Sequence, residues 1–259
     1  MDEPYRDTEL FERGLELLGD DPFPRLEEGT RWQQPAVFLC SVCGWEAAGR
    51  PVADAAAGHS LGEYAALVAA GALDFDAAMR LVELRGAAMA KAAEANPGGM
   101  VAMLGGDADA VKRLAAELGL MVANDNAPGQ LVLSGGHEAI DQVVARAGEE
   151  AGARARRLAV SGPFHSQAMK PVVAPLREAL AAADFQKPAY PVFSCATAAP
   201  FDDPAEELAM NVARPVHWRE TMLAMRAAGV ESFVEPGPGQ VLTGLLRRIF
   251  PEPRIASPA

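Results

Sequence analysis

The sequence predicts an α/β protein: a body built on a mostly parallel sheet covered on both faces, with a smaller ferredoxin-like unit inserted into it. Three observations carry that prediction. Short apolar strand-like segments alternate with helical stretches along most of the 259 residues. Between residues 97 and 161 the order becomes β-α-β-β-α-β, which closes a small sheet of its own. A single Gly-x-Ser-x-Gly, Gly58–Gly62, stands where a strand should turn into a helix. The composition agrees with a globular fold, since half of the residues are apolar and 22% are charged, with 24 glycines and 20 prolines.

The elements follow in chain order. "TELFERGLELL" (Thr8–Leu18) has helical spacing, and Pro35–Ala48 is apolar nearly all round, as a helix covered on several sides would be. Val52–Ala57 is expected to be a short strand whose small residues allow a helix to pack closely, with helices at Glu63–Ala70 and Phe75–Ala95. The inserted unit reads as strand Met100–Leu104, helix Ala108–Leu118, strands Leu120–Ala123 and Gln130–Ser134, helix Glu138–Glu149 and strand Arg156–Val160. The body then resumes with helix Ser166–Ala182, strand Pro191–Cys195, helices Pro204–Val212 and His217–Ala228, strand Glu231–Glu235 and helix Gln240–Phe250. The expected division is residues 1–96 and 162–259 for the body and 97–161 for the insertion.

Several function classes are disfavoured. A net charge of −12 argues against nucleic acid as a partner, because phosphate binding relies on clustered Lys and Arg. No apolar run reaches the roughly 20 residues of a membrane-spanning helix, and "MDEPYRDTEL" lacks the basic-then-apolar order of a secretory signal. A cytoplasmic protein without membrane contact is expected. Three cysteines are too few for a disulfide scaffold. The pair Cys40-x-x-Cys43 lies in "PAVFLCSVCGW" without a second pair to complete a zinc site, so both read as small core residues.

In Gly58-His59-Ser60-Leu61-Gly62 the glycines permit a tight turn that lifts the Ser60 hydroxyl above the sheet edge, and the following helix offers unpaired N–H groups to a developing anion. A helix-capping serine without chemistry fits the same residues. A serine nucleophile needs a base. Of the four histidines, His165 in "SGPFHSQAMKP" follows a strand and opens a helix, which brings it to the same edge; a helix cap is its plainer role. Arg85 sits among Leu81, Leu84 and Met89, and a buried guanidinium needs an anion. That anion is either a structural carboxylate or one belonging to a substrate.

Together "GHSLGEYAALVAAGAL", "RLVELRGAAM", "NDNAPGQLVLSG", "VSGPFHSQAMKP", "ARPVHW" and "VEPGPGQVLTGLLRRI" resemble, in order and spacing, the malonyl-CoA:acyl-carrier-protein transacylases of fatty-acid and polyketide synthesis. The likeness runs from about residue 8 to 255. It implies an α/β-hydrolase-like catalytic body and a ping-pong reaction that carries malonyl from malonyl-CoA to an acyl carrier protein. The carrier would hold the phosphopantetheine, and the enzyme would need no cofactor or metal. It further implies Ser60 as nucleophile, His165 as base, the Asn211 backbone carbonyl as the acceptor that orients it, and the Leu61 N–H as an oxyanion donor. Arg85 becomes the clamp on the malonyl carboxylate, with Met89, Phe164 and His59 beside the substrate; Phe164 matches malonyl rather than methylmalonyl members.

Asparagine at position 211 departs from the glutamine more common there. The family's opening strand and G-Q-G-S-Q loop, source of a second oxyanion donor, have no counterpart in Met1–Thr8. A monomer is expected, docking its acidic carrier through Lys170, Arg247 and Arg248. A serine esterase and a catalytically impaired scaffold are the competing expectations. The esterase is disfavoured because no histidine follows His217.

Overall fold

The computed structural model describes residues 1–256. A 3-10 turn at Glu3–Tyr5 precedes α1 (Glu9–Leu18), which begins where Thr8 accepts the Phe11 N–H and stops at the left-handed Gly19. α2 (Thr30–Ala47) is buried along most of its length and carries Cys40 and Cys43 in the core, their thiols pushed up to about 12 and 11 chiefly by burial. β1 (Ala56–Ala57) leads through the serine turn into α3 (Gly62–Ala69). α4 (Phe75–Ala95) is capped by Asp74, which accepts from the Asp76 and Ala77 N–H groups, and it packs along α2. Phe38 and Leu39 of α2, Tyr64 and Leu67 of α3, and Met79 and Val82 of α4 meet in the main core. Each fully buried leucine there contributes roughly 1.5–3 kcal/mol.

The insertion follows as β2 (Gly99–Leu104), α5 (Ala108–Glu117), β3 (Met121–Ala127), β4 (Gln130–Gly135), α6 (His137–Ala151) and β5 (Arg154–Arg157). Its sheet has the order β3-β4-β2-β5, with every neighbouring pair antiparallel. Val101, Met103, Leu131 and Leu133 face α5 and α6, while Met100, Ala102, Ala123 and Val132 turn toward Leu158, Val160 and Phe164. The last strand therefore ends earlier than its apolar residues suggest. Leu158 keeps one hydrogen bond to β2, its N–H donating to Met100 O at 3.0 Å, but it and Val160 pack on the sheet's other face, and the charged "RARR" forms the edge. β3, conversely, runs longer than expected. Its far end pairs with the body, where Asp125 N–H donates to Val216 O and Val216 N–H to Ala123 O, both at 2.8 Å. Arg219 clasps the Asp125 carboxylate at the same place.

The second half of the body contains α7 (Lys170–Ala181), β6 (Val192–Ser194), β7 (Ala199–Pro200), α8 (Pro204–Asn211), α9 (Trp218–Ala227), β8 (Ser232–Val234), α10 (Val241–Ile249) and β9 (Arg254–Ala256). Its parallel pairs lie in two short sheets, β1 with β6 and β8 with β9, and β7 adds an antiparallel edge. Both β1 and β8 line a groove of about 910 Å³ that also reaches His59 and Leu61. Met1, Val52, Val234 and Val241 expose large apolar side chains along it. β1 is shorter than the expected Val52–Ala57, because its ladder partner meets only Ala56 and Ala57.

The two glycines of the serine turn differ in their constraints. A Cβ at Gly58 would overlap the Gly62 backbone and the Glu63 nitrogen, whereas one at Gly62 would meet nothing within 4 Å. Gly58→Ala should therefore cost about 1–3 kcal/mol, a fall of several degrees in the thermal midpoint, while Gly62→Ala leaves that midpoint within about a degree. Thermal unfolding of the two variants checks this.

Candidate active site

Ser60 projects from the turn between β1 and α3 with φ at +53°, and His165 has φ at +54°. Left-handed backbone at a non-glycine residue costs roughly 1–3 kcal/mol and persists only where its surroundings hold it. Around Ser60 that hold is explicit. Its N–H donates to Cys195 Sγ at 3.4 Å, Gly62 N–H donates to His59 O at 3.1 Å, and Glu63 N–H donates to Ser60 O at 3.2 Å. The Leu61 N–H has no hydrogen-bond partner among the described residues, which leaves it open to an oxyanion at the mouth of the groove.

His165 Nε2 lies 2.8 Å from Ser60 Oγ. Its Nδ1 faces two backbone carbonyls, Arg214 O at 2.9 Å and Asn211 O at 3.1 Å. Carbonyls only accept, so Nδ1 carries the proton and Nε2 presents its lone pair to the serine hydroxyl. Burial, and then the Arg85 charge, push this imidazole down to about 4, which keeps it neutral across the physiological range.

Arg85, on α4, is 3% exposed. One guanidinium nitrogen donates to Ser60 Oγ at 2.9 Å and the other to Gln34 Oε1. Gln34 is held in turn through its own amide, which donates to Thr30 Oγ1 at 2.8 Å and approaches Met89 Sδ at 3.3 Å. All of these partners are neutral. A buried cation with no carboxylate in hydrogen-bond contact is costly, and burial pushes the Arg85 pKa down, against the through-space pull of Tyr64 and Glu63.

Ser60 Oγ thus meets His165 and Arg85, with Leu61 next in the chain, the Asn211 carbonyl on the far side of the imidazole, and Met89 against the Gln34 amide that holds the guanidinium. His59 turns the other way, its Nε2 at 2.8 Å from Asn126 Oδ1 and its ring tilted against Trp218, so it ties the serine turn to the insertion. Phe164 packs between the two cores. Sequence reasoning missed Gln34, a polar residue in an apolar helix whose position was the available signal. It also missed the Arg214 carbonyl, which no side chain announces. Of the basic residues considered for docking, Arg248 is committed to Gln130 Oε1 and the Pro128 and Gly129 carbonyls, because the β3–β4 turn needs partners for those groups. Among the described residues no cluster of three or more His, Cys, Asp or Glu could hold a metal ion.

Residues 16–255 match the family described as acyl transferase domain. The malonyl CoA-acyl carrier protein transacylase of Bacillus subtilis is 41% identical over 226 residues, covering 83% of this chain and 71% of that relative. Among solved structures, the transacylase from Streptococcus pneumoniae superposes with a TM-score of 0.91 at 34% identity, covering 99% of this chain and 90% of that one. A malonyl-transacylase in complex with a type II polyketide-synthase acyl-carrier protein gives 0.88 at 36% identity, over 96% of this chain and 86% of the other.

A base works only when deprotonated, so Ser60 reactivity is full above the His165 pKa and falls as pH drops through it. Labelling of Ser60 by a small sulfonyl fluoride should stay level down to about pH 5 and reach its midpoint near about 4, below the 6.5 of free imidazole. Arg85→Ala removes a cation that opposes imidazolium, and it should move that midpoint upward.

Proposed function

The chain belongs to the acyl transferase domain family, and on that premise we propose that it carries a malonyl group from malonyl-CoA to the phosphopantetheine thiol of an acyl carrier protein, through a malonyl ester of Ser60. The observation that carries this reading is one oxygen, Ser60 Oγ, with His165 Nε2 at 2.8 Å and Arg85 Nη2 at 2.9 Å. His165 takes the hydroxyl proton as Oγ forms its bond to the thioester carbon. The carbonyl π electrons move onto oxygen, and the Leu61 N–H donates to that anion. Collapse breaks the carbon–sulfur bond, and His165 returns the proton to the departing CoA thiolate. The second half runs in reverse with the carrier thiol, which yields its proton to His165, attacks the ester and releases Ser60.

Arg85 supplies the selectivity in this scheme. A malonyl group differs from acetyl by a terminal carboxylate, and the guanidinium beside Oγ has only neutral partners. A substrate carboxylate completes a pair that acetyl would leave unmade. The cycle calls on no resident cofactor. One copy of the chain provides every group named, which supports a monomer as the working unit, and carrier-dependent acyl transfer supports a cytoplasmic setting. No helix of the described residues is long and apolar enough to cross a membrane.

Mixing the protein with malonyl-CoA should add one malonyl unit by mass spectrometry, and Ser60→Ala should abolish it; an adduct that persists in the variant excludes Ser60. Arg85→Ala should lower malonyl loading about 100-fold relative to acetyl loading. Equal losses for the two acyl groups would remove Arg85 from substrate recognition.

A further inference from the structure

Glu63 is a carboxylate sealed in the core, 1% exposed, in the first turn of α3 and three residues beyond Ser60. Every hydrogen-bond partner it has is neutral. Its Oε1 accepts the Cys195 N–H at 2.8 Å, and Asn211 Nδ2 donates to Oε1 at 3.2 Å and to Oε2 at 3.0 Å. Burial raises its pKa, and these donors, with the Arg85 charge acting through space, pull it back down. Nothing in the acyl-transfer steps takes a proton from it. A buried carboxyl with no cation in hydrogen-bond contact is expensive to keep, which calls for a reason to keep it.

Its partners supply that reason. Cys195 follows β6, and its sulfur accepts the N–H of Ser60, the residue held in left-handed backbone. Asn211 ends α8, and its main-chain carbonyl accepts from His165 Nδ1. One carboxylate therefore joins the segment that braces the serine to the segment that orients the histidine. We infer that Glu63 is a positioning residue, fixing the Ser60 turn against the His165 acceptor segment through Cys195 and Asn211 rather than acting on substrate. The inference rests on reading Ser60 and His165 as nucleophile and base.

Two substitutions separate geometry from charge. Glu63→Gln keeps the reach and removes the charge. Its oxygen can still take the Cys195 N–H, and Asn211 can turn its amide so that Oδ1, buried without a partner, accepts from the new amide. Glu63→Asp keeps the charge but is one methylene too short to hold both donors. Asn211→Ala leaves the main-chain carbonyl in place and removes the amide that Glu63 grips, together with its donation to Ser194 Oγ at 3.3 Å.

The primary readout is the rate at which a small sulfonyl fluoride labels Ser60, after circular dichroism has shown each variant folded. That rate does not depend on which acyl group the serine takes, so it stands even where malonyl loading fails. Positioning requires Glu63→Asp and Asn211→Ala each to lose about 10- to 100-fold, the two together to lose no more than either, and Glu63→Gln to stay within about threefold of the parent. In malonyl loading the same losses should fall on kcat, with KM for malonyl-CoA unchanged. Should Glu63→Asp not fold, the contrast between Glu63→Gln and Asn211→Ala decides alone. Full reactivity of Asn211→Ala, full reactivity of a folded Glu63→Asp, or a loss in Glu63→Gln as large as in Asn211→Ala overturns the inference.

Discussion

The site depends on which nitrogen of His165 carries its proton. Two backbone carbonyls, at 2.9 and 3.1 Å, settle it on Nδ1 and leave Nε2 free for the serine. A carboxylate in their place would fix the same tautomer but would also stabilise the imidazolium, raising its pKa. Carbonyls orient without that charge. Burial and then the Arg85 charge outweigh their modest upward pull and keep the imidazole a weak base at about 4, ready to give back whatever proton it takes. That balance suits a transfer in which the same group must first deprotonate the serine and then protonate a leaving sulfur, with both directions run at comparable ease.

The fold keeps those carbonyls still by holding their segment from two sides. Val216, two residues beyond Arg214, is bridged on both its N–H and its carbonyl to β3 of the inserted unit, and Arg219 locks to Asp125 just past it. From within the body, Glu63 grips the Asn211 amide. One strand of the insertion is thus a wall of the segment that holds the His165 ring. Positive φ at both Ser60 and His165 fits the same picture, because strained backbone at two facing residues survives only where neighbours over-determine it.

How much of this was legible in the sequence follows from where the information resides. Ser60 was visible because a glycine turn between strand and helix is a local pattern, and Gly58 is indeed the residue whose missing Cβ lets the turn close. His165 was picked from its expected place after a strand at the serine's edge; that strand instead ends at Arg157 in the inserted sheet, and the segment that follows it carries the imidazole to Ser60. Arg85 could be seen as a buried cation, but whether its anion was structural or a substrate's could be weighed only through the family likeness. The neutral partners now found around it bear on that choice. Gln34, the Arg214 carbonyl and the Glu63 network are contacts between segments 49 to 148 residues apart, and their local patterns say only "polar residue in a helix" or nothing at all. Strand ends were misjudged for a related reason. Leu158 and Val160 look like strand residues by composition, yet their side chains are spent on packing under the far face of the inserted sheet.

Arg85 also sets the timing of the proposed chemistry. Its charge has only neutral hydrogen-bond partners, with the Glu63 carboxyl attracting it through space; it lies against the serine oxygen and is the second cause of the low histidine pKa. A substrate carboxylate that binds the guanidinium neutralises that field, so the penalty on a second cation at His165 relaxes when malonyl is bound. The base then strengthens as the thioester arrives. An acetyl group brings no such charge and leaves His165 as weak as in the empty enzyme. Selection for malonyl under this scheme acts twice, once in binding and once in the basicity of the group that must take the serine proton, and both effects trace to the neutral company Arg85 keeps in the core.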